Sequence, residues 1–424
     1  SFLIFDAGYK VLNNYHPFKD YWSITGPFLD YSQFIIFKFF NISWSTYIFH
    51  SAIINTLFSL FSFIFFCELG LKKIFSLIYS ISIAILGYPS AGSPFMDHHA
   101  SIFALMSLMC LILALKKGNN KYWFFVLLLL GLSFLSKQIP SSYLGITFLI
   151  SIMIYILINK FNRFNFLIYL LSGLLFISTI VFLIIVTNDI PVKNILIQYI
   201  LYPIKIGSER SESLKFGIEN IIFQFKFIYF ALIPIVFPAF YLFKKKNKNL
   251  KNKIDILILV TFIFSILIFI YSQLLTKNQI LIFFLIPFCI GLVHYFFLNY
   301  FDNRVVIYFF IFIILISTIK FHIRFNVEKK FMELNNINID RAIDARILDP
   351  RLSGLKWISS GFPNNTKKEL KLLKEIKEQI IQEKKNKIII SDYQILPFIT
   401  GNNKFAPNKW FDDLSVPNKA NSYF

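Results

Sequence analysis

The chain has 424 residues, of which 56% are hydrophobic and 19% aromatic, and its formal net charge at pH 7 is +20. Long apolar runs recur until about residue 320, which excludes a soluble globular chain and indicates a polytopic membrane protein. Basic residues between membrane spans explain the net charge, so no nucleic-acid partner is expected. The three cysteines lie inside apolar runs, so neither a disulfide framework nor a thiolate metal site is supported.

Ten apolar segments predict membrane helices, because a bilayer core requires roughly 20 apolar residues per helix. They cover approximately residues 44–68, 74–88, 99–115, 122–136, 140–158, 166–187, 226–243, 254–272, 279–298 and 304–320. The sequence therefore predicts a mostly α-helical membrane bundle over residues 1–320.

Lysines and arginines occupy every second connection between these segments. They are Lys72 and Lys73, then Lys116, Lys117 and Lys121, then Lys160 and Arg163, then the run at 244–253, then Arg304. The positive-inside rule makes these connections cytoplasmic and the others extracytoplasmic, namely 6–40, 89–98, 136–140, 188–225, 273–278 and everything after 320. This alternation requires a span before residue 6, so we expect residues 1–5 to end a first helix that is otherwise truncated.

The first external connection places Asp6 at the membrane boundary and then combines aromatic and charged residues. Tyr9, His16, Lys19 and Asp20 follow within D-A-G-Y and H-P-F-K-D-Y-W. Aromatic residues among charges are typical of a segment that lies on a membrane surface. The plain alternative for Asp6 is a turn residue at the end of a helix.

The next external connection carries S-P-F-M-D-H-H-A at 93–100. Asp97 stands where a span begins, so one interpretation is a helix N-cap. His98 and His99 are adjacent, and on a helix their side chains diverge by about 100°. A divalent metal held by Asp97 with His98 or His99 stays open as the alternative, since carboxylate and imidazole suit such ions. No cofactor is required by the sequence.

Four further basic or polar positions lie in predicted external connections or at the start of the span that follows one. Lys137, in F-L-S-K-Q-I-P, stands on the side that usually lacks lysine, although snorkelling to the interface is the plain alternative. Lys277 and Gln279 repeat the pattern in T-K-N-Q-I. Arg210 belongs to the segment 188–225, which we expect to cover a cavity as a mobile lid.

Residues 321–424 differ in composition from the rest, with fewer apolar runs and more Lys, Asn and Asp. T-K-K-E at 366–369 predicts a capping box before a helix, in which Leu370, Leu373 and Ile376 recur at helical spacing. K-I-I-I-S at 387–391 predicts a short buried strand. We therefore expect a small extracytoplasmic α/β module over 321–424, whose polar stretches at 392–393 and 408–413 either contact an acceptor or are solvated surface.

The order of the motifs in the first external connection, D-x-G-Y, H-P-F-K-D-Y-W, G-P and N-I-S-W, resembles the polyprenyl-phosphate-sugar glycosyltransferases of the GT-C superfamily. The chain is most similar to the protein O-mannosyltransferases and lipid A aminoarabinose transferases, families 39 and 83. The resemblance implies that Asp6 and Asp97 are catalytic and face each other across one cavity, and that Lys137 contacts the lipid phosphate. It also implies substrate-binding roles for Tyr9, His16, Lys19, Asp20, His98, Arg210, Lys277 and Gln279.

This resemblance implies an inverting transfer of a sugar from a polyprenyl-phosphate donor to an extracytoplasmic hydroxyl, in the bacterial inner membrane. Asp6 would be the general base and Lys137 would neutralise the leaving phosphate. O-mannosyltransferases have a second acid after the first-loop Asp, whereas Ala7 stands here, which favours a glycan or lipid acceptor over a protein. An inactive site, a lipid-linked saccharide flippase or transporter, and a non-catalytic membrane protein stay open as alternatives.

Overall fold

The computed structural model describes residues 2–159, 165–212, 219–245, 249–276, 282–301, 304–331, 334–410 and 416. The α-helices of the first half are α1 (Leu3–Leu12), α2 (Phe28–Phe40), α3 (Trp44–Glu68), α4 (Lys73–Gly87), α5 (Met96–Lys117), α6 (Asn120–Ser136), α7 (Ser141–Ile158) and α8 (Asn165–Thr187). Those of the second half are α9 (Val192–Ile195), α10 (Tyr202–Glu212), α11 (Gln224–Leu232), α12 (Val236–Lys244), α13 (Leu250–Thr276), α14 (Leu285–Tyr300), α15 (Arg304–Phe321), α16 (Thr366–Gln382) and α17 (Leu396–Thr400). Two strands, β1 (Ile343–Asp344) and β2 (Lys356–Trp357), pair antiparallel.

Seven described helical segments are long and apolar enough to cross a membrane. They are Trp44–Glu68, Met96–Lys117, Ser141–Ile158, Asn165–Thr187, Ile221–Lys244, Leu250–Thr276 and Val306–Val327. The three other predicted spans coincide with the shorter apolar helices α4, α6 and α14. The prediction of a polytopic, mostly helical bundle is confirmed at this level, and the chain has the character of an integral membrane protein.

Helix α5 lies at the centre of the bundle, because every residue from Met96 to Leu115 is buried. Hydrogen bonds join it to α6, where Ser107 Oγ donates to the Val126 carbonyl at 2.6 Å and Ser133 Oγ donates to the Ala100 carbonyl at 2.7 Å. Such polar contacts hold membrane helices together where the hydrophobic effect cannot. Helix α8 is peripheral and exposes Leu175 and Phe182, which suits contact with lipid.

Two predicted external loops are largely helical. The connection 6–40 contains α1 and α2, so that only residues 13–27 form a loop, and Asp6 lies inside α1 instead of in a turn after a helix. The connection 188–225 contains α9, a π-helical turn at Leu196–Leu201 and α10, which follow one another without interruption. Both segments pack against neighbouring helices, so their charged composition does not prevent helix formation.

The predicted C-terminal α/β module is not confirmed. Helix α16 is present, but its N-cap is Asn365, whose side chain accepts a hydrogen bond from the Lys368 amide, and the expected capping box does not form. Glu369 instead accepts hydrogen bonds from Ser359 and Tyr393.

The strand expected at 387–391 makes only a single bridge, from Ile389 to Phe405. Ile388 is 56% exposed and Ile390 is 70% exposed, so this apolar run is not buried. A run of isoleucines favours extended backbone, but a strand also requires a partner along its length. Among the described residues only Phe405 bridges this run, so the preference of the isoleucines for extended backbone does not produce a strand.

The C-terminal region packs on the first helices of the chain. The rings of Phe398 and Phe5 lie 4.9 Å apart, and those of Trp357 and Phe2 stack at 6.0 Å. The amide of Trp22 donates to the Pro407 carbonyl at 2.7 Å. Residues from both ends of the chain therefore share one apolar cluster.

A buried ion pair also connects these two ends. Lys409 Nζ lies 2.5 Å from Asp30 Oδ1 in α2 and 3.0 Å from Thr25 Oγ1, while Tyr21 donates to Asp30 Oδ2 at 2.8 Å. The side chains of Lys409 and Asp30 are 4% and 0% exposed. Burial lowers the pKa of the Lys409 ammonium, although the Asp30 carboxylate opposes this shift. The pair fixes the C-terminal segment against the loop that follows α1.

The charge alternation makes a topological prediction. A reporter inserted in the connection 244–253 should be cytoplasmic, and one inserted before α16 near Asn365 should be extracytoplasmic. The reporter is a single cysteine introduced at each position. Its labelling by a membrane-impermeant thiol reagent, measured in intact cells and after lysis, shows on which side the position lies. Labelling of both positions from the same side would contradict this arrangement.

The Asp30–Lys409 pair predicts a specific pattern of stability. Lys409→Met leaves a buried carboxylate without its partner, and we expect a loss of about 3–5 kcal/mol in the stability of the C-terminal segment. Replacing both partners, Asp30→Asn with Lys409→Met, should recover much of that loss because no buried charge remains. Lys404→Met, at an exposed lysine of the same segment, is the matched control and should change little.

Protease resistance of residues 396–410 and thermal melting of the full chain in detergent measure these differences. Equal behaviour of Lys409→Met and Lys404→Met would show that the ion pair does not hold the segment.

Candidate functional site

The structure contains a cavity of about 730 Å³ and another of about 670 Å³, and three residues predicted from the sequence, Asp97, Lys137 and Arg210, line the second. We call the second the Asp97 cavity. Its walls come from the loop at Ile24 and Thr25, the start of α5, the α6–α7 junction, the segment 199–211, the end of α13, and Trp410. Most of its lining is aliphatic or aromatic, with a few polar side chains, as is typical of small-molecule sites.

Asp97 and Lys137 form an ion pair in this cavity. Asp97 lies in the first turn of α5, where a carboxylate interacts favourably with the helix dipole, but the helix N-cap is Phe95 and the N-cap interpretation of Asp97 is wrong. Lys137 directly follows α6 and its side chain is 17% exposed. The ammonium of Lys137 therefore contacts a buried acid and does not extend to the membrane surface.

The backbone around Lys137 is fixed by contacts with two other segments. Gln138 Nε2 donates to the carbonyls of Ile24 and Tyr199 at 2.9 and 2.8 Å. The amide of Gly26 donates to the Ser136 carbonyl at 3.2 Å, and a Cβ on Gly26 would overlap the carbonyl oxygen of Leu135. Only glycine allows the loop to approach α6 this closely, so the position of Lys137 depends on it.

Helix α10 and the π-helical turn before it form one side of the Asp97 cavity. Tyr199, Ile206 and Arg210 line it, and Arg210 is half-buried. Upstream, Gln198 Oε1 accepts a hydrogen bond from the Ser23 amide at 3.0 Å. Residues 199–211 therefore form one wall of the Asp97 cavity and bring Arg210 to the cavity that holds Asp97 and Lys137. That the segment 188–225 moves as a lid stays a prediction.

Asp6 does not line the Asp97 cavity, which corrects the arrangement implied by the resemblance. Its carboxylate lies 2.9 Å from Lys10 Nζ, one helical turn later in α1, and Lys10 also donates to the Asn408 carbonyl at 3.0 Å. Burial raises the pKa of the Asp6 carboxyl, and the Lys10 ammonium opposes this shift. Asp6 instead faces a neighbouring cavity of about 20 Å³, which Tyr393 and Lys409 also line.

The remaining residues of the first loop lie away from the Asp97 cavity. The ring of Tyr9 packs 5.5 Å from that of Phe398, and Lys19 Nζ donates to the Asn188 carbonyl at 2.9 Å. Asp20 accepts a hydrogen bond from the His16 amide at 2.7 Å, which closes a local turn. In this arrangement Tyr9, His16, Lys19 and Asp20 shape the loop and do not contact the cavity.

Lys277 and Gln279 lie outside the described residues. Leu275 and Thr276, directly before them, line the Asp97 cavity.

The histidines beside Asp97 turn away from it. His98 Nε2 contacts the Gly87 carbonyl, and His99 Nδ1 lies 3.0 Å from the Phe95 carbonyl. Over the part of the chain that the structure describes, no three His, Cys, Asp or Glu side chains are grouped so that they could hold a metal ion. Both imidazoles contact backbone carbonyls here, and a metal held by Asp97 with His98 or His99 stays a prediction.

Several residues of the cavity were not predicted. The rings of Tyr143 and Tyr271 pack edge to face in its wall, with centroids 5.6 Å apart, and Trp410 of the C-terminal segment also lines it. The Trp410 Nε1 atom is buried without a hydrogen-bond partner among the described residues. Tyr143 and Tyr271 lie near the ends of spans, where aromatic residues are common in any membrane protein, so the sequence does not mark them as cavity residues. The residues around Trp410 contain no pattern that predicts its contact with the helical bundle.

Comparison of the chain with protein-family models, with characterised proteins and with solved structures finds no match.

Proposed function

We propose that the protein is an integral-membrane glycosyltransferase that moves a sugar from a polyprenyl-phosphate donor to a hydroxyl of an extracytoplasmic acceptor. The observation that carries the proposal is the Asp97–Lys137 ion pair, together with Arg210, in an otherwise apolar and aromatic cavity at one end of the membrane helices. The resemblance of the first-loop motifs to those of the GT-C glycosyltransferases also supports the proposal. The location that follows is the bacterial inner membrane.

Each part of such a donor has a matching part of the Asp97 cavity. Ile200, Ile204 and Leu275 offer apolar contact to the polyprenyl chain, and Lys137 and Arg210 offer cations to the phosphate. Trp410 offers an aromatic ring to the sugar. The cavity volume of about 670 Å³ is in the range of small-molecule sites, which suits the sugar phosphate and the first part of the lipid chain.

We assign the role of general base to Asp97 instead of Asp6. When the donor phosphate binds, it competes with Asp97 for the Lys137 ammonium, and the carboxylate then accepts the proton of the acceptor hydroxyl. The hydroxyl oxygen attacks the anomeric carbon, the bond from that carbon to the phosphate oxygen breaks, and polyprenyl phosphate leaves with the electron pair. Attack opposite the leaving group inverts the configuration, and a positioned base contributes about 100- to 10,000-fold.

Asp6 has a supporting role in this proposal. Its carboxylate forms an ion pair with Lys10, and Lys10 donates a hydrogen bond to the carbonyl of Asn408, which directly precedes Lys409 of the Asp30–Lys409 pair. These contacts fix the C-terminal segment that contributes Trp410 to the cavity. The neighbouring Ala7 is buried and supplies no second acid, which favours a glycan or lipid acceptor over a protein.

We expect substitutions of Asp97 and Asp6 to differ in their effects on activity and on stability. Asp97→Asn removes the proton acceptor, so transfer should fall by at least about 100-fold. Each substitution also removes the carboxylate partner of a lysine, but the Lys10 side chain is 3% exposed and that of Lys137 is 17% exposed. Asp6→Asn should therefore lower the melting temperature more than Asp97→Asn does and retain more activity per folded molecule. Transfer from a panel of radiolabelled polyprenyl-phosphate sugars, with full-length protein in reconstituted vesicles, measures both.

The reverse order of activities would return the base to Asp6 and remove Asp97 from the mechanism. Movement of labelled donor across the vesicle membrane without transfer to any acceptor would favour a flippase.

Lys137 predicts a change in donor use. Lys137→Gln should raise the KM for the donor by at least about tenfold, since a charge-assisted contact to phosphate is lost, and Lys137→Arg should restore part of it. Lys193→Gln, at an exposed lysine of α9 on the same predicted side, is the control and should behave like the unmodified protein. If Lys137→Gln and Lys193→Gln have the same donor dependence, Lys137 does not bind the phosphate.

A further inference from the structure

A second large cavity lies at the opposite end of the bundle from Asp97. Its volume is about 730 Å³, and we call it the lysine cavity. Its lining includes Lys116, Lys117, Lys251 and Lys253 together with Ile158 and Ile254. Helices α5, α7 and α13 each line the lysine cavity with one end and the Asp97 cavity with the opposite end.

The distance between the two cavities matches a bilayer. Along α5, about 29 Å of helix separates Asp97 from Lys116, at 1.5 Å per residue. The hydrocarbon core of a bilayer is roughly 30 Å thick. The lysine cavity therefore lies at the second membrane interface, which the positive-inside rule predicts to be cytoplasmic.

The lysine cavity combines an excess of positive charge with an apolar surface. Lys116 pairs with Asp255 at 2.8 Å, and Lys117 pairs with Glu68. Lys251 and Lys253 are exposed and have no carboxylate within ion-pairing distance among the described residues. The four lysines thus outnumber the two carboxylates that pair with them.

Apolar side chains lie directly beside these charges. Leu115 and Tyr155 are buried, and Ile158 and Ile254 are half-buried. The outer face of α7 near the cavity exposes Leu157 at 65%, which suits contact with lipid chains. A ligand in this cavity would meet cations at one side and apolar surface at the other.

We propose that the lysine cavity binds an anionic phospholipid, with the head-group phosphate on Lys251 and Lys253 and the start of an acyl chain against Ile158 and Ile254. A membrane-embedded lipid arrives at this depth without leaving the bilayer, and basic cavities between membrane helices suit acidic head groups. The apolar part of the lining gives a phospholipid contacts that free phosphate lacks. This proposal does not depend on the transferase activity.

The charges predict the size of the effect. A lysine near an acidic head group contributes about fivefold in affinity, so Lys251→Gln with Lys253→Gln should weaken binding about 25-fold. The matched control is Lys72→Gln with Lys73→Gln, two exposed lysines on the same predicted side that do not line the lysine cavity. Both double variants lose the same formal charge, so they separate a site from general attraction to an acidic surface.

The experiment uses the full chain purified in detergent and titrated with phosphatidylglycerol, with phosphatidylcholine or with inorganic phosphate. Native mass spectrometry counts bound lipid, and the melting temperature is measured in parallel. We expect one tightly retained phosphatidylglycerol, a rise in melting temperature with that lipid only, and loss of both in the Lys251/Lys253 variant while the Lys72/Lys73 variant keeps them.

Three results would overturn the proposal. One is equal binding of phosphatidylglycerol and phosphatidylcholine. Another is the same stabilisation by inorganic phosphate at matched concentration, which would indicate a site for a free anion. The third is equal weakening in both double variants, which would indicate unspecific charge attraction.

Discussion

The buried ion pair between Asp30 and Lys409 joins two positions that are 379 residues apart, and the arrangement of the candidate site depends on it. Two charges removed from water must remain paired, because either one alone is costly in a protein interior. Lys409 therefore keeps the C-terminal segment against the loop after α1, and this puts Trp410 into the wall of the Asp97 cavity. The same loop carries Thr25, which lines the cavity, and Gly26, whose amide donates to the Ser136 carbonyl at the end of α6. One ion pair thus connects the end of the chain to the surroundings of Lys137.

Helix α5 imposes the second constraint. Its residues from Met96 to Leu115 are all buried, so polar chemistry is confined to its two ends. At one end the Asp97 carboxylate meets Lys137, and at the other Lys116 meets Asp255. Charged groups are costly in the apolar centre of a membrane bundle, and both pairs lie near the depth of an interface. Two cavities with different chemistry then arise at opposite ends of the same helices.

The surroundings of Asp6 combine a contact within one helical turn with contacts to the distant C-terminal segment. Lys10 follows Asp6 by four residues, a spacing at which helical side chains meet, so this ion pair was visible in the sequence once α1 was treated as a helix. The sequence pattern favoured a loop there, and the resemblance placed Asp6 opposite Asp97. What separates the two acids is the C-terminal segment, whose Asn408 and Lys409 pack beside α1. No pattern within the first loop could reveal that contact.

The membrane helices could be predicted from local sequence, since a span must satisfy its own backbone hydrogen bonds and cover itself with apolar side chains, and both requirements are met within about 20 consecutive residues. Each of the ten apolar segments overlaps an apolar helix of the described chain, and the charged residues near their ends are visible in the sequence. Contacts between distant segments establish which acid lines the Asp97 cavity, that Asp97 pairs with Lys137, and that residues 387–391 are not a buried strand. These outcomes depend on partners far away in the chain, and a contact between distant segments leaves no local periodicity by which it could be predicted.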